Sequence, residues 1–197
     1  MLNKSVNAMP ETPLKVLAFA GSLRSGSYNR ALVRAAQELV PADLDLTTFD
    51  LADVPLYNGD VEATGDPPGV MRFKTAIREA DGVLIATPEY NHGVPGVTKN
   101  AIDWASRPAG KAPLDHKPMA IIGASPGITG TARGQSQLRQ AFEFTNSFVM
   151  PQPELLVFRA HEKFDAEGHL TDETTRQLLQ KFLQAFAAWI RRFQPTR

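Results

Sequence analysis

Val83-Leu84-Ile85-Ala86-Thr87-Pro88-Glu89-Tyr90-Asn91-His92-Gly93-Val94-Pro95-Gly96 runs from an unbroken apolar segment into a cluster of proline, glycine and asparagine. The apolar half shows no polar alternation, so it reads as a strand buried on both faces, the kind found in parallel sheets. The second half is in the first instance a loop. A helical pattern leaves it over Val97 to Ser106, with Ala101, Ile102, Trp104 and Ala105 at helical spacing before Arg107-Pro108. Strand, loop, helix is one βα unit, and the flanking sequence repeats it.

Upstream, Leu14 to Ala20 is another apolar segment, stopping at Gly21, and Asn29 can cap a helix carrying Leu32, Ala35, Ala36, Leu39 and Val40 before Pro41. Leu44 to Phe49 is a plausible second strand. The turn-rich stretch Leu51 to Gly69 is long for a loop, which points to a functional or mobile segment. Val70 to Ala80 is helical by its spacing and ends at Asp81-Gly82.

Downstream, Lys117 to Gly123 is the fourth strand, Ala124 to Gly130 a small-residue loop and Arg133 to Phe148 a helix. Val149 to Phe158 holds Pro151 and Pro153, so a fifth strand there lies at an edge or is regular only in Leu155 to Phe158. From Thr171, with Asp172 and Glu173 in the first turn, a last helix shows Leu178, Leu179, Phe182, Leu183, Phe186 and Ile190 on one stripe. The alternation predicts an α/β fold, a doubly wound five-stranded parallel sheet of order 2-1-3-4-5 with helices on both faces.

At 197 residues the chain suits one domain, here residues 14–197 after a flexible tail of residues 1–13. Its 21 basic and 21 acidic side chains give a net charge of +0, so no global field draws it to nucleic acid or an anionic membrane. There is no cysteine, which excludes thiolate catalysis, disulfides and Cys-held metal, and leaves redox chemistry to a bound cofactor. No apolar run reaches the roughly 20 residues of a membrane span and no secretory pattern opens the chain, so a soluble, cytoplasmic protein is expected.

In such a sheet ligands bind beyond the carboxyl ends of the strands, where strands one and three diverge. The loops placed there are Gly21 to Tyr28, Pro88 to Gly96 and Ala124 to Gly130. The first combines small hydroxylated residues, one guanidinium and a helix start, the ingredients of a site for a single phosphate. It lacks both the Walker pattern and the Gly-x-Gly-x-x-Gly fingerprint.

Gly21-Ser22-Leu23-Arg24 with Ser27 and Asn29, then Pro88 to Asn91 with Gly93, Pro95 and Gly96, then Lys99-Asn100-Ala101-Ile102-Asp103-Trp104, then Ser125-Pro126-Gly127 closely resemble the NAD(P)H-dependent FMN reductase family of flavodoxin-like quinone, chromate and azo-dye reductases. The resemblance runs from Leu14 to the C-terminus, and its middle motif is the specific one. It implies FMN, with the phosphate held by Ser22, Arg24, Ser27 and Asn29. The resemblance implies too that Pro88, Glu89, Tyr90, Asn91 and Gly93 line the isoalloxazine and that Ser125 and Gly127 border it. It further implies NADPH or NADH as co-substrate, a small-molecule electron acceptor, and a homodimer or homotetramer. Thr98 stands where the family commonly has Leu, and Ile128 to Gln135 where paired glycines are usual.

No side chain is assigned a catalytic role, because the flavin carries the chemistry. His92 is read as a loop residue facing solvent or a subunit partner, Glu89 as acting mainly through its backbone, and Trp104 as core or interface. The expected activity is ping-pong hydride transfer from NAD(P)H to FMN and on to a quinone, chromate, an azo compound or free flavin. The alternative is a flavodoxin-like electron carrier without NAD(P)H oxidation, against which the +0 net charge speaks, since carriers gain from an acidic docking face.

Overall fold

The structure is a computed structural model and describes residues 12–194; the expected N-terminal tail lies almost wholly outside that range. Its elements are β1 (Leu14–Ala20), α1 (Tyr28–Glu38), β2 (Leu44–Phe49), α2 (Gly59–Thr64), α3 (Pro68–Glu79), β3 (Gly82–Ala86), α4 (Gly96–Ala105), β4 (Pro118–Ala124), α5 (Ala132–Phe144), β5 (Phe148–Val149), β6 (Leu155–Val157) and α6 (Glu173–Arg191). Every strand pairing is parallel, in the order β2-β1-β3-β4-β5, with β6 also on β4. The expected doubly wound order is what the sheet shows.

Strand alternation explains why helices cover both faces. Val16 and Ala18, Leu84 and Ala86, and Ala120 and Ile122 turn into one core with α1 and α6. Their neighbours Leu17 and Phe19, Val83 and Ile85, and Met119 and Ile121 turn into a second core with α3, α4 and α5. Strands apolar at every position can satisfy both layers only as the centre of such a sandwich. Leu178, counted on the α6 stripe, is exposed, while Leu179, Phe182, Leu183, Phe186 and Ile190 are buried.

Three expectations are corrected. The helix expected to reach Phe148 stops at Phe144, and Phe148 begins β5. The fifth strand is two pieces on one edge of β4: Phe148 and Val149 pair with Pro118 and Met119, and Leu155 to Val157 pair with Ile122 to Ala124. Pro151 and Pro153 fall in the gap, where their missing N–H groups break no ladder. Third, the stretch Leu51 to Gly69 is not irregular throughout, since it holds a 3-10 turn at Leu51–Asp53 and α2, and α3 begins within it at Pro68.

That stretch is fastened to α4 and α3. Asn100 Nδ2 and Trp104 Nε1 both donate to Pro55 O at 2.8 Å, and Tyr57 N donates to Asn100 Oδ1 at 2.7 Å. Lys74, 1% exposed, donates to both Asp66 oxygens at 2.7 and 2.8 Å and lies 5.6 Å from the centre of the Trp104 ring. Asn100 and Trp104 of the Lys99 to Trp104 motif therefore hold this strap to α4.

Candidate functional site

The carboxyl ends of β1, β3 and β4 bring the three loops together. Gly21 N donates to Ala86 O at 2.9 Å and so prolongs the β1–β3 ladder into the first loop. A side chain at Gly21 would run into the Thr98 hydroxyl, which explains why the small Thr98 packs beneath this loop. Ser27 then caps α1, its Oγ accepting from the N–H groups of Asn29 at 3.2 Å and Arg30 at 3.4 Å. The cap is Ser27, not the expected Asn29.

Asn29 has a different task. Its amide is 2% exposed, donates to Ala124 O at 2.9 Å and accepts from Ala124 N at 2.9 Å. This two-bond clasp locks the start of α1 to the end of β4. Ser22, Arg24, Ser27, Asn29, Pro88, Glu89, Tyr90 and Ser125 line one small groove beside it, of about 60 Å³. Asn91, Gly93 and Gly127 lie outside that lining. Ser22 Oγ is 3.4 Å from Tyr90 Oη, so the first two loops meet across the groove.

The second loop turns back on itself. Tyr90 N donates to Gly93 O at 3.1 Å and Gly93 N to Tyr90 O at 3.0 Å. Asn91 and His92 between them have φ of 51° and 63°, the pattern of a type I′ turn. Glycine favours the second central position, so a histidine there strains the backbone, and it stands exposed at the tip. Gly93 itself has no positive φ; a Cβ on it would lie 2.7 Å from Gln137 Oε1. Its role is close packing against α5.

Helix α5 supports this loop in a way the sequence did not disclose. Thr131, before its first turn, is buried in the left-handed region with φ 74° and its side chain makes no cap. Glu89 caps the helix from 44 residues away, its Oε2 accepting from Arg133 N at 2.9 Å and Gly134 N at 3.1 Å, with Arg133 Nη1 at 3.3 Å from Oε1. Burial alone would raise this carboxyl; the Gly134 N–H and the Arg133 guanidinium and N–H outweigh it and hold it below the usual carboxylate range. Gln137 Oε1 accepts from Val94 N at 2.7 Å, a second tie. The sequence offered no signal for this, because Thr131 is itself a favoured cap residue and only its left-handed backbone withholds the hydroxyl.

The third loop is held from the other side. Ser125 N donates to Val157 O at 2.9 Å, Ala160 N to Ser125 O at 3.0 Å and Arg159 N to Gly127 O at 3.0 Å. The loops that follow β1, β3, β4 and β6, at one end of the parallel sheet, carry four exposed apolar side chains: Leu23, Tyr90, Ile128 and Phe158, at 49%, 46%, 84% and 47% exposure. The site thus pairs a hydroxyl- and guanidinium-bearing cradle at a helix N-terminus with an apolar rim. That is what a ligand with an anionic end and a flat ring end requires.

The residues present fit a flavin mononucleotide. Arg24 and the Ser22 hydroxyl line the groove, Ser27 sits at the positive end of α1, and the one carboxylate nearby is turned away into α5. The sequence profile of the family described as NADPH-dependent FMN reductase matches residues 14–162. The chain is similar to an NAD(P)H-dependent FMN reductase of Pseudomonas aeruginosa, 50% identical over 92% of this chain and 97% of that protein. It is also similar to a 2-hydroxy-1,4-benzoquinone reductase of a Burkholderia species, 45% identical over 90% and 97%. Among solved structures, the flavoenzyme NAD(P)H:(acceptor) oxidoreductase FerB of Paracoccus denitrificans superposes with a TM-score of 0.83 at 39% identity, covering 91% of this chain and 98% of that one.

Proposed function

The chain belongs to the NADPH-dependent FMN reductase family, an NAD(P)H-dependent flavin oxidoreductase by that membership, and from this premise we propose how its own residues serve the reaction and what it reduces. FMN, when bound, would supply the two-electron redox chemistry between the reduced dinucleotide and the acceptor. The phosphate is met by Ser22, Arg24 and the main chain at the start of α1, with Ser27 presenting that helix end. The amide of Asn29 is spent on Ala124, so Asn29 serves by fixing the cradle and not by holding the phosphate.

Pro88, Glu89 and Tyr90, which line the groove, would line the ring together with Asn91 and Gly93, and Ser125 with Gly127 would border it. The 90–93 turn, fastened by Glu89 and Gln137 to α5, gives this wall its rigidity. No side chain here is placed as a proton donor. Glu89 is ionised and engaged with α5, which removes it from proton transfer. The acceptor is a small planar quinone-type molecule. Supporting this are the apolar rim and the quinone-reductase relatives.

The observation that carries the reading is the junction of the Ser22 cradle with the Tyr90 loop across a single groove. Anaerobic mixing of the FMN-loaded protein with NADPH or NADH tests it: the yellow absorbance bleaches within seconds and returns on adding a benzoquinone. A flavin that stays oxidised would assign the protein to electron carriage instead. A homodimer or homotetramer is part of the proposal, supported by the four exposed apolar side chains on the loops at the carboxyl end of the sheet; a monomer by light scattering at micromolar concentration would contradict it. A cytoplasmic setting follows from the intracellular supply of the dinucleotide, and cell fractionation checks it.

A further inference from the structure

A second cavity, of about 210 Å³, opens at the carboxyl end of β2, and none of its lining residues lines the flavin groove. Helix α1 is a wall of both, with Asn29 on the groove and Arg30 on the cavity. Val33, Phe49 and Leu51 give it apolar walls, while Arg30, Arg34 and Asp50 supply its charge. Asp50 directly follows β2 and is fixed in place: Oδ1 accepts from Ala52 N at 3.0 Å and Oδ2 from Arg30 Nη2 at 2.9 Å. Its side chain is still 51% exposed, so a ligand can reach it. Arg34 is exposed and spends one Nη2 contact, at 3.4 Å, on Gly168 O.

A carboxylate accepts hydrogen bonds from both hydroxyls of a ribose diol, and a guanidinium nearby is what meets a 2′-phosphate. The walls suit a purine and the charges suit its ribose. Distance allows the link, because β2 and β3 are two strand spacings apart, about 10 Å. A dinucleotide anchored at β2 therefore spans to the ring-binding loop after β3.

We propose that this cavity takes the adenosine end of the reduced nicotinamide dinucleotide, with the ribose on Asp50, the purine against Val33 and Leu51, and a 2′-phosphate on Arg34. The inference rests on the reading that such a dinucleotide feeds the flavin site. It makes Asp50 and Arg34 opposing determinants of coenzyme choice, since a carboxylate repels the 2′-phosphate that the guanidinium attracts.

Calorimetric titration of the FMN-loaded protein with ADP-ribose and with 2′-phospho-ADP-ribose reads this without turnover. Arg34→Ala is expected to weaken the 2′-phosphorylated ligand about tenfold and ADP-ribose less than twofold. Asp50→Asn is expected to weaken ADP-ribose and to shift the affinity ratio at least threefold toward the 2′-phosphorylated ligand. KM for NADPH and NADH should move in the same directions. Unchanged affinities in both variants, with the flavin still bleached by NADPH in each, would overturn the cavity assignment and leave the reductase reading standing. Wild-type protein that binds neither ligand and is not bleached by either dinucleotide would overturn both.

Discussion

Replacing Glu89 with Ala separates a structural carboxylate from a catalytic one. The substitution leaves Arg133 N and Gly134 N, at 2.9 and 3.1 Å from Oε2, without their acceptor at the first turn of α5. Each main-chain bond to a charged acceptor contributes about 1.5–3 kcal/mol. The Arg133 guanidinium is half exposed and regains water, so its 3.3 Å contact adds little. Taking the lower figure for both main-chain bonds gives about 3 kcal/mol. For 197 residues each kcal/mol lowers Tm by about 2–4 °C, so calorimetry should show a fall of about 6–12 °C. Glu89→Gln keeps an acceptor and should lose about half as much.

The pH dependence gives an independent reading of the same residue. Because the folded carboxyl is held below its ordinary value, its stabilisation is complete above the unfolded value of about 4.3 and is lost as pH falls through the lowered folded value. The Tm gap between wild type and Glu89→Gln should therefore close in acid. Turnover per FMN-loaded, folded molecule should stay within about twofold in the Gln variant, the scale on which a mere loss of rigidity acts, against the 100-fold or more that losing a general acid costs. An unchanged Tm together with turnover reduced 100-fold would refute the argument and make Glu89 a proton donor.

Ser22→Asp puts a carboxylate about 5 Å from a doubly charged phosphate, a repulsion of about 1.5 kcal/mol even at the dielectric of water, so FMN affinity by fluorescence titration should drop at least tenfold. Asn29→Ala removes both clasp bonds and leaves the buried main chain of Ala124 unpaired, costing about 2–4 kcal/mol in denaturant unfolding; an unaltered midpoint would mean the clasp contributes nothing. Gly93→Val drives Gln137 from its 2.7 Å bond to Val94 N and crowds the ring wall, so the purified variant should carry little flavin by its visible absorbance. Wild-type flavin content in both Ser22→Asp and Gly93→Val would move the site elsewhere.

What sequence made legible here follows from how far each feature reaches along the chain. The strands Leu14–Ala20 and Leu44–Phe49 were recoverable to the residue, because apolar runs ended by Gly21 or a turn cluster are local signals. Helix α2 was not foreseen, since Gly59–Thr64 buries none of its residues and so displays no apolar stripe. The α5 pattern ran on to Phe148 because Phe144 and Phe148 stand four residues apart, yet Phe144 is 91% exposed and Phe148 pairs on the β4 edge.

The same rule sorts the site residues. Loops that concentrate Gly, Ser, Pro and Asn after buried strands announce a ligand end of the sheet, and the groove does gather eight of the eleven residues expected of it. Their individual tasks depend on partners 44 to 95 positions away, as with Glu89 to Arg133 or Asn29 to Ala124, and no spacing encodes those. A polar residue in such a loop has two ways to matter, by touching the ligand or by immobilising the surface that does. For Asn29 and Glu89 main-chain groups already take every strong hydrogen bond their side chains form, at 2.9 to 3.1 Å. Their substitution should therefore act first on stability and only through it on flavin affinity, whereas Ser22 and Arg24, with weaker internal bonds, should act on affinity first.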